Sequence, residues 1–211
     1  TGNCTLLRNG TVTNYPCELG SGSLPPLTTE ALIEVFTLQQ QLNALAAEID
    51  VQAPWDHPNA SIWDTMTLET FLASQLTLSD ARFLLNTFVT GILATEANEP
   101  SLLYMLAYIA ASGNETEVGT LDRLIDVVGG AQESRIVGGT QLIALRLADR
   151  LGAENIHLRS PVQRIQHSNG RYMVISNGTR ISAKRVIVAM SPPLAARISY
   201  DPPLPPARDQ L

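Results

Sequence analysis

Few groups in this 211-residue chain have both the type and the spacing to do chemistry. His57, His157 and His167 lack a second histidine or cysteine at metal-ligand spacing, and no serine completes a nucleophile-base arrangement with them. Each therefore reads as an ordinary surface or hydrogen-bonding residue. Asp122 and Asp126 are spaced to share one helix face, which reads as a solvated face in preference to an acid-base pair. Gly129-Gly130 and Gly138-Gly139 are turn-forming pairs, and Gly-x-Gly-x-x-Gly, whose turn cradles a dinucleotide phosphate, does not occur.

A second set of residues bears on modification. Cys4 and Cys17 flank a short Gly-, Asn- and Thr-rich segment, as expected of a local disulfide that staples a loop in an oxidising compartment. Asn-x-Ser/Thr triplets begin at Asn3, Asn9, Asn59, Asn114 and Asn177. The 11 Asn and 32 Ser plus Thr residues of the chain would supply roughly two such triplets by chance. Both patterns predict a secreted, glycosylated protein.

The elements that must hold these residues follow from periodicity and punctuation. Residues 1–27 carry Gly, Asn, Pro and Ser without a helical period and read as an extended or hairpin lead-in. From Thr28 or Thr29, apolar residues at Leu32, Val35/Phe36, Leu42, Leu45/Ala46 and Ile49 predict a long amphipathic helix. Thr67 caps a short helix through Leu76, Ser79-Asp80 starts another through about Leu93, and Pro100 sits in the first turn of one ending near Ser112-Gly113. Beyond Gly138-Gly139, Thr140 caps a helix that Gly152 closes. Ile156–Arg159, Tyr172–Ile175 and Arg185–Ala189 then read as strands, with Asn177-Gly178 as a hairpin turn. The fold class is α+β, a mainly helical portion over 1–135 followed by a small mixed α/β portion over 136–211.

Composition bounds the partners. A formal charge of −6 and a pI near 5.0, with Lys and Arg scattered, argue against a nucleic-acid footprint or a polybasic membrane patch and favour a small ligand. The apolar run from Leu102 to Ala111 is well short of the ~20 residues of a bilayer span.

The run Gly129-Gly130-Ala131-Gln132-Glu133-Ser134-Arg135-Ile136-Val137-Gly138-Gly139-Thr140, leading into a helix-like segment to Leu151, resembles the middle of the flavin-dependent monoamine oxidases. There, a strand-like segment of the substrate domain ends on a Gly-Gly turn and returns the chain to the FAD domain. Further islands follow in the family's order: Ala53-Pro54-Trp55, Trp63-Asp64-x-Met66-Thr67, Phe88-Val89, Ala94-Thr95-Glu96, Ser160-Pro161-Val162, and Val186-Ile187-Val188-Ala189-Met190-Ser191-Pro192-Pro193. The resemblance implies a substrate-domain portion over 1–135 and a partial FAD-binding portion over 136–211. It also implies that the phosphate-binding turn and the aromatic pair facing the flavin belong to other segments, so that the chain is a central fragment, inactive alone.

The same resemblance implies roles residue by residue. Gln132 falls where the family places a cavity glutamine near the flavin, and a neutral amide can orient an amine without a charge that an apolar cavity must solvate. Leu124 and Ile125 match a pair at the cavity gate, and Gly91 and Ile92 match a pair on its wall, where Gly91 departs from the family by lacking a large side chain. Val162 matches a valine that touches the adenosine end of FAD through its backbone, and Ala189 lies at the end of a strand beneath the dinucleotide. The implied parent is an FAD-dependent amine oxidase that yields an imine and hydrogen peroxide. Polyamine oxidases, L-amino-acid oxidases and a non-catalytic helical binding module are the alternative readings.

Overall fold

Thr28 opens the longest helix in the way its hydroxyl suggests, by accepting the Ala31 N–H at 3.3 Å. The computed structural model describes residues 3–16, 24–126 and 129–209, and the chain divides into two compact units, Thr1–Arg135 and Ile136–Leu211. The architecture is α+β, with helices over most of the first unit and a four-stranded sheet in the second. Among the described residues no helix is long and apolar enough to cross a membrane.

The first unit begins with strands β1 (Asn3–Arg8) and β2 (Thr11–Pro16), paired antiparallel around Asn9-Gly10. Both turn residues have positive φ, 50° and 78°, as a two-residue hairpin loop of the primed type requires. Arg8 fastens the hairpin to helix α4 (Ser79–Leu93): its guanidinium donates to Asp80 at 2.7 Å and lies 4.2 Å from the Phe83 ring centre.

Helix α1 (Thr29–Ala46) buries Ala31, Leu38, Leu42 and Ala46, a stripe that packs against α4 and α5 (Leu102–Ala110). Phe36, expected on the buried face, is 61% exposed, because the small Ala31 and Ala46 set the contact face and turn Phe36 outward. Helix α2 (Ala60–Thr65) and α3 (Leu68–Gln75) complete the layer; Thr67 caps α3 by accepting the Thr70 N–H at 3.1 Å. Helix α4 has Leu78 at its cap and no capping side chain of its own. Glu34 of α1 supplies the acceptor instead, taking the Thr77 and Leu78 N–H groups at 3.1 and 3.0 Å.

Pro100 lies before the helix start, not in its first turn: Ser101 is the cap of α5 and accepts the Tyr104 N–H at 3.1 Å. Nearly every residue of α5 is apolar, and Leu102, Leu103, Met105, Leu106, Ile109 and Ala110 form the middle of the core. The short helix α6 (Leu121–Ile125), capped by Thr120, closes the unit.

In the second unit, Gly138 and Gly139 adopt φ of 84° and 89°, and α7 (Gln141–Leu151) ends on Gly152 at φ 83°. Thr140 stands at the cap position in a helical conformation and its side chain caps nothing. The sheet has the order β5-β4-β3-β6, from β3 (Val162–Ser168), β4 (Arg171–Ser176), β5 (Thr179–Ala183) and β6 (Ser199–Asp201). Asn169-Gly170 turns β3 into β4, Gly178 turns β4 into β5, and β6 returns parallel to β3 after helix α8 (Pro192–Ala195); helix α9 (Pro206–Asp209) follows.

Two expected strands differ from the structure. Ile156–Arg159 and Arg185–Ala189 join no ladder among the described residues, and Ile187 is 90% exposed. Both have strand-like composition, but a strand exists only through a hydrogen-bonded neighbour. Conversely β3 escaped the pattern because only Ile165 among its residues is buried, leaving no apolar alternation to read.

Candidate functional site

Helix α6 is held against α1 by polar contacts. Asn43 Oδ1 accepts the Leu121 N–H at 2.7 Å, while the Asp122 carboxylate accepts from Gln39 Nε2 at 2.5 Å and Asn43 Nδ2 at 3.5 Å. The expectation for Asp122 and Asp126 is corrected: both are part-buried, not a solvated face, and Asp122 is engaged by α1.

The chain then folds back on the end of α6. Ala131 N–H donates to the Arg123 carbonyl at 2.7 Å, and Gln132 N–H to the Asp126 carbonyl at 3.1 Å. The Gln132 side-chain amide donates to the Leu124 carbonyl at 3.4 Å. Such bonds satisfy carbonyls that a helix C-terminus leaves without intrahelical partners. Gly130 makes the return possible: a Cβ there would stand 2.5 Å from the Asp126 carbonyl oxygen and 2.8 Å from that of Arg123. The strand-like segment of the family resemblance is therefore a run of turns and irregular chain here, since its main-chain groups bond to α6 and not to a neighbouring strand.

The structure thus brings Gln132, Leu124 and Ile125 into one group. Leu124 is buried in the core, Ile125 is half-buried and Gln132 is exposed. Gly91 and Ile92, in the last turn of α4, are not joined to this group by any hydrogen bond. Ile92 packs against the core, and a Cβ on Gly91 would meet nothing within 4 Å. A cleft of about 380 Å³ where α1 and α5 end is lined by residues such as Ala46, Ala110 and Val118 and takes in none of the five.

Asp126, read from the sequence as part of a solvated face, departs furthest from that expectation. Its Oδ1 is buried without a hydrogen-bond partner among the described residues. Burial first, then the nearby Asp122 charge, push its carboxyl above the usual carboxylate range. Helical spacing alone could not have signalled this, because it does not tell how deeply a single carboxylate oxygen is buried.

In the second unit, Val162 starts β3 beside a bulge, and the β6 ladder begins only at Arg164. Val162 therefore has no partner in the β6 ladder. Ala189 is exposed on the irregular stretch after β5. His57 accepts the Asn59 N–H at 3.1 Å and stacks on Trp63 at 4.4 Å, and His167 stacks on Tyr172 at 4.5 Å. Cys4 lies in β1 opposite Tyr15, and Cys17 lies outside the described residues. Asn3, Asn9, Asn59, Asn114 and Asn177 are all exposed.

Residues 8–211 match the family described as flavin containing amine oxidoreductase. The flavin-containing amine oxidase of Oncorhynchus mykiss is 33% identical over 200 residues, 94% of this chain and 36% of that protein. Amine oxidase B of Sus scrofa is 32% identical over the same coverage of 94% and 36%. Among solved structures, cyclohexylamine oxidase from Brevibacterium oxydans superposes with a TM-score of 0.84 at 29% identity, covering 99% of this chain and 44% of that one. A cofactor-binding redesign of putrescine oxidase gives 0.82 at 31%, with coverage of 99% and 44%. The chain belongs to the flavin-containing amine oxidoreductase family. It spans less than half the length of these relatives.

Proposed function

We propose that the chain is the central part of an FAD-dependent amine oxidase, with 1–135 forming part of its substrate domain and 136–211 part of its FAD domain. The observation that carries this reading is the return of Gln132 onto α6, which sets a neutral amide beside Leu124 and Ile125. In this reading Gln132 orients the reacting amine, Leu124 and Ile125 form the apolar gate, Gly91 and Ile92 contribute to the wall, and Val162 and Ala189 approach the cofactor. A bound flavin would supply the redox chemistry, two-electron oxidation at the carbon bearing the amine with oxygen as the final acceptor. The products are an imine, hydrolysed to aldehyde and ammonia, and hydrogen peroxide.

The remaining segments of the parent enzyme are the proposed partners of the second unit. Ile143, Leu145, Leu147 and Leu151 of α7 are each half or more exposed, and Arg185–Ala189 lacks a strand neighbour among the described residues. Both features suit surfaces that further chain covers. The 211 residues alone are proposed to be inactive.

Secretion is proposed from the five exposed sequon asparagines, together with a Cys4–Cys17 bridge. Peptide mapping of protein from the native host should find that bridge and at least one glycan; two free thiols and five bare asparagines would overturn it. The amine-oxidase reading is tested by visible absorbance and peroxide release with benzylamine on the full-length protein. A flavin spectrum with turnover supports it, and absence of flavin refutes it.

A further inference from the structure

The chain as a whole is acidic, yet residues 155–200 contain no Asp or Glu and hold seven of its 14 Lys and Arg residues: Arg159, Arg164, Arg171, Arg180, Lys184, Arg185 and Arg197. The strand register gathers part of this charge. A cleft of about 660 Å³ on one face of the four-stranded sheet is lined by side chains that include Gln166, Arg171, Met173, Arg180, Ser182 and Asp201. Asp201 is the one carboxylate lining it among the described residues, and it is already shared by Arg164 and Gln166, each donating at 3.1 Å. Arg180 is exposed and has no hydrogen bond or ion pair among the described residues. Arg171 pairs with no carboxylate there either; it reaches from β4 onto β5, where its Nε donates to Ser182 Oγ at 2.8 Å.

Strand β5 stands at the end of the sheet order, and among the described residues no main-chain group of Thr179–Ala183 bonds outside the ladder with β4. Such an edge presents a row of N–H and C=O groups that can template another strand. Alternation puts Arg180 and Ser182 on one face, two residues apart. One guanidinium therefore stands at position 180 and a second lies against position 182. A strand added beside β5 would set alternate side chains opposite these two positions, at a cross-strand spacing of about 5 Å. The positive charge repels a second copy of β5 and matches carboxylates in that alternation. We infer that the free edge of β5 is a docking site for an extended acidic peptide with carboxylates two residues apart, held by main-chain hydrogen bonds to β5 and by Arg180 and Arg171. Neither flavin nor amine enters this inference.

The test uses the full-length protein and a short fluorescein-labelled peptide in which glutamate and valine alternate, read by fluorescence anisotropy. Binding should weaken as salt is raised. Arg180→Gln and Arg171→Gln should each weaken it by about two- to five-fold, the range of an exposed ion pair, and Arg180→Lys, which keeps the charge, should bind close to wild type. Because both arginines are exposed, the unfolding midpoint of each variant should match wild type, so that lost affinity reports the sheet face and not the fold. Two control peptides separate strand addition from plain charge attraction: one of the same composition with its glutamates grouped, and the alternating sequence with its main-chain nitrogens methylated. Both should bind more weakly. No binding by wild type, equal binding of either control, tighter binding of heparin or of phosphatidylserine vesicles than of the alternating peptide, or wild-type affinity in the double variant Arg171→Gln/Arg180→Gln overturns the inference.

Discussion

The Gln132 N–H donates to the Asp126 main-chain carbonyl at 3.1 Å, so the residue proposed to orient the amine is fixed by the end of the helix that carries Leu124 and Ile125, the proposed gate pair. Its side-chain amide reaches the Leu124 carbonyl at 3.4 Å, a long bond that a substrate amine can replace. In the full-length enzyme, Gln132→Leu should keep folding and flavin content while lowering kcat/KM. The lost neutral hydrogen bond is worth about 0.5–1.5 kcal/mol, or roughly two- to twelve-fold. Stopped-flow kinetics should show slower flavin reduction and unaltered reoxidation by oxygen. Unaltered reduction would remove Gln132 from the cavity.

Gly130 is the hinge of the same return. Gly130→Ala places a methyl 2.5 Å from the Asp126 carbonyl oxygen, so the segment must shift and the bonds from Ala131 and Gln132 must lengthen. Crowding of this kind costs about 1–3 kcal/mol. Denaturant unfolding of the full-length protein should show that loss together with lower kcat/KM, whereas a midpoint equal to wild type would mean that the return is not tightly held.

Glu34 and Asp126 should give stability of opposite pH dependence. The Thr77 hydroxyl, then the Leu78 N–H, hold the Glu34 carboxyl below the usual range. Its stabilisation is present above the unfolded-state value and is lost as pH falls through the lowered folded value. Asp126 is displaced upward, so it is tolerated below the unfolded value and destabilises as pH rises through the folded one. Accordingly Glu34→Gln should lower the unfolding midpoint at neutral pH and Asp126→Asn should raise it. Both differences should close in acid. Differences that persist once carboxyls are protonated would assign the effects to packing instead.

The 211-residue chain expressed alone should neither retain FAD nor oxidise amines. It covers 44% of the putrescine oxidase and cyclohexylamine oxidase chains it matches and contains no Gly-x-Gly-x-x-Gly. A stoichiometric flavin spectrum on the purified chain, or peroxide release with phenethylamine, would contradict this.

Local signals made most helices legible. Thr28 and Thr67 cap where their hydroxyls predict, Ser79–Leu93 is a helix as its period requires, and Gly152 ends α7. What was illegible depends on distant chain. Ile156–Arg159 and Arg185–Ala189 look like strands but have no neighbour in the described sheet, and the orientation of Phe36 depends on which face α4 and α5 select. At the candidate site, the Gly129–Gln132 run stood out by composition and resemblance. The state of Asp126 did not, because no local pattern reveals that one of its oxygens is buried with no donor among the described residues.

Helix α7 buries no side chain, although Ile143, Leu145, Leu147 and Leu151 lie along it. A helix of this length is marginal by itself in water, so its folding free energy depends on whatever surface comes to cover it. By mass-action linkage, that surface acts on α7 as a ligand acts on a receptor: occupancy shifts the helix-coil balance. Amide protons of Gln141–Leu151 should then exchange with solvent quickly in the lone chain and slowly in the assembled enzyme, which makes α7 a reporter of assembly independent of the flavin.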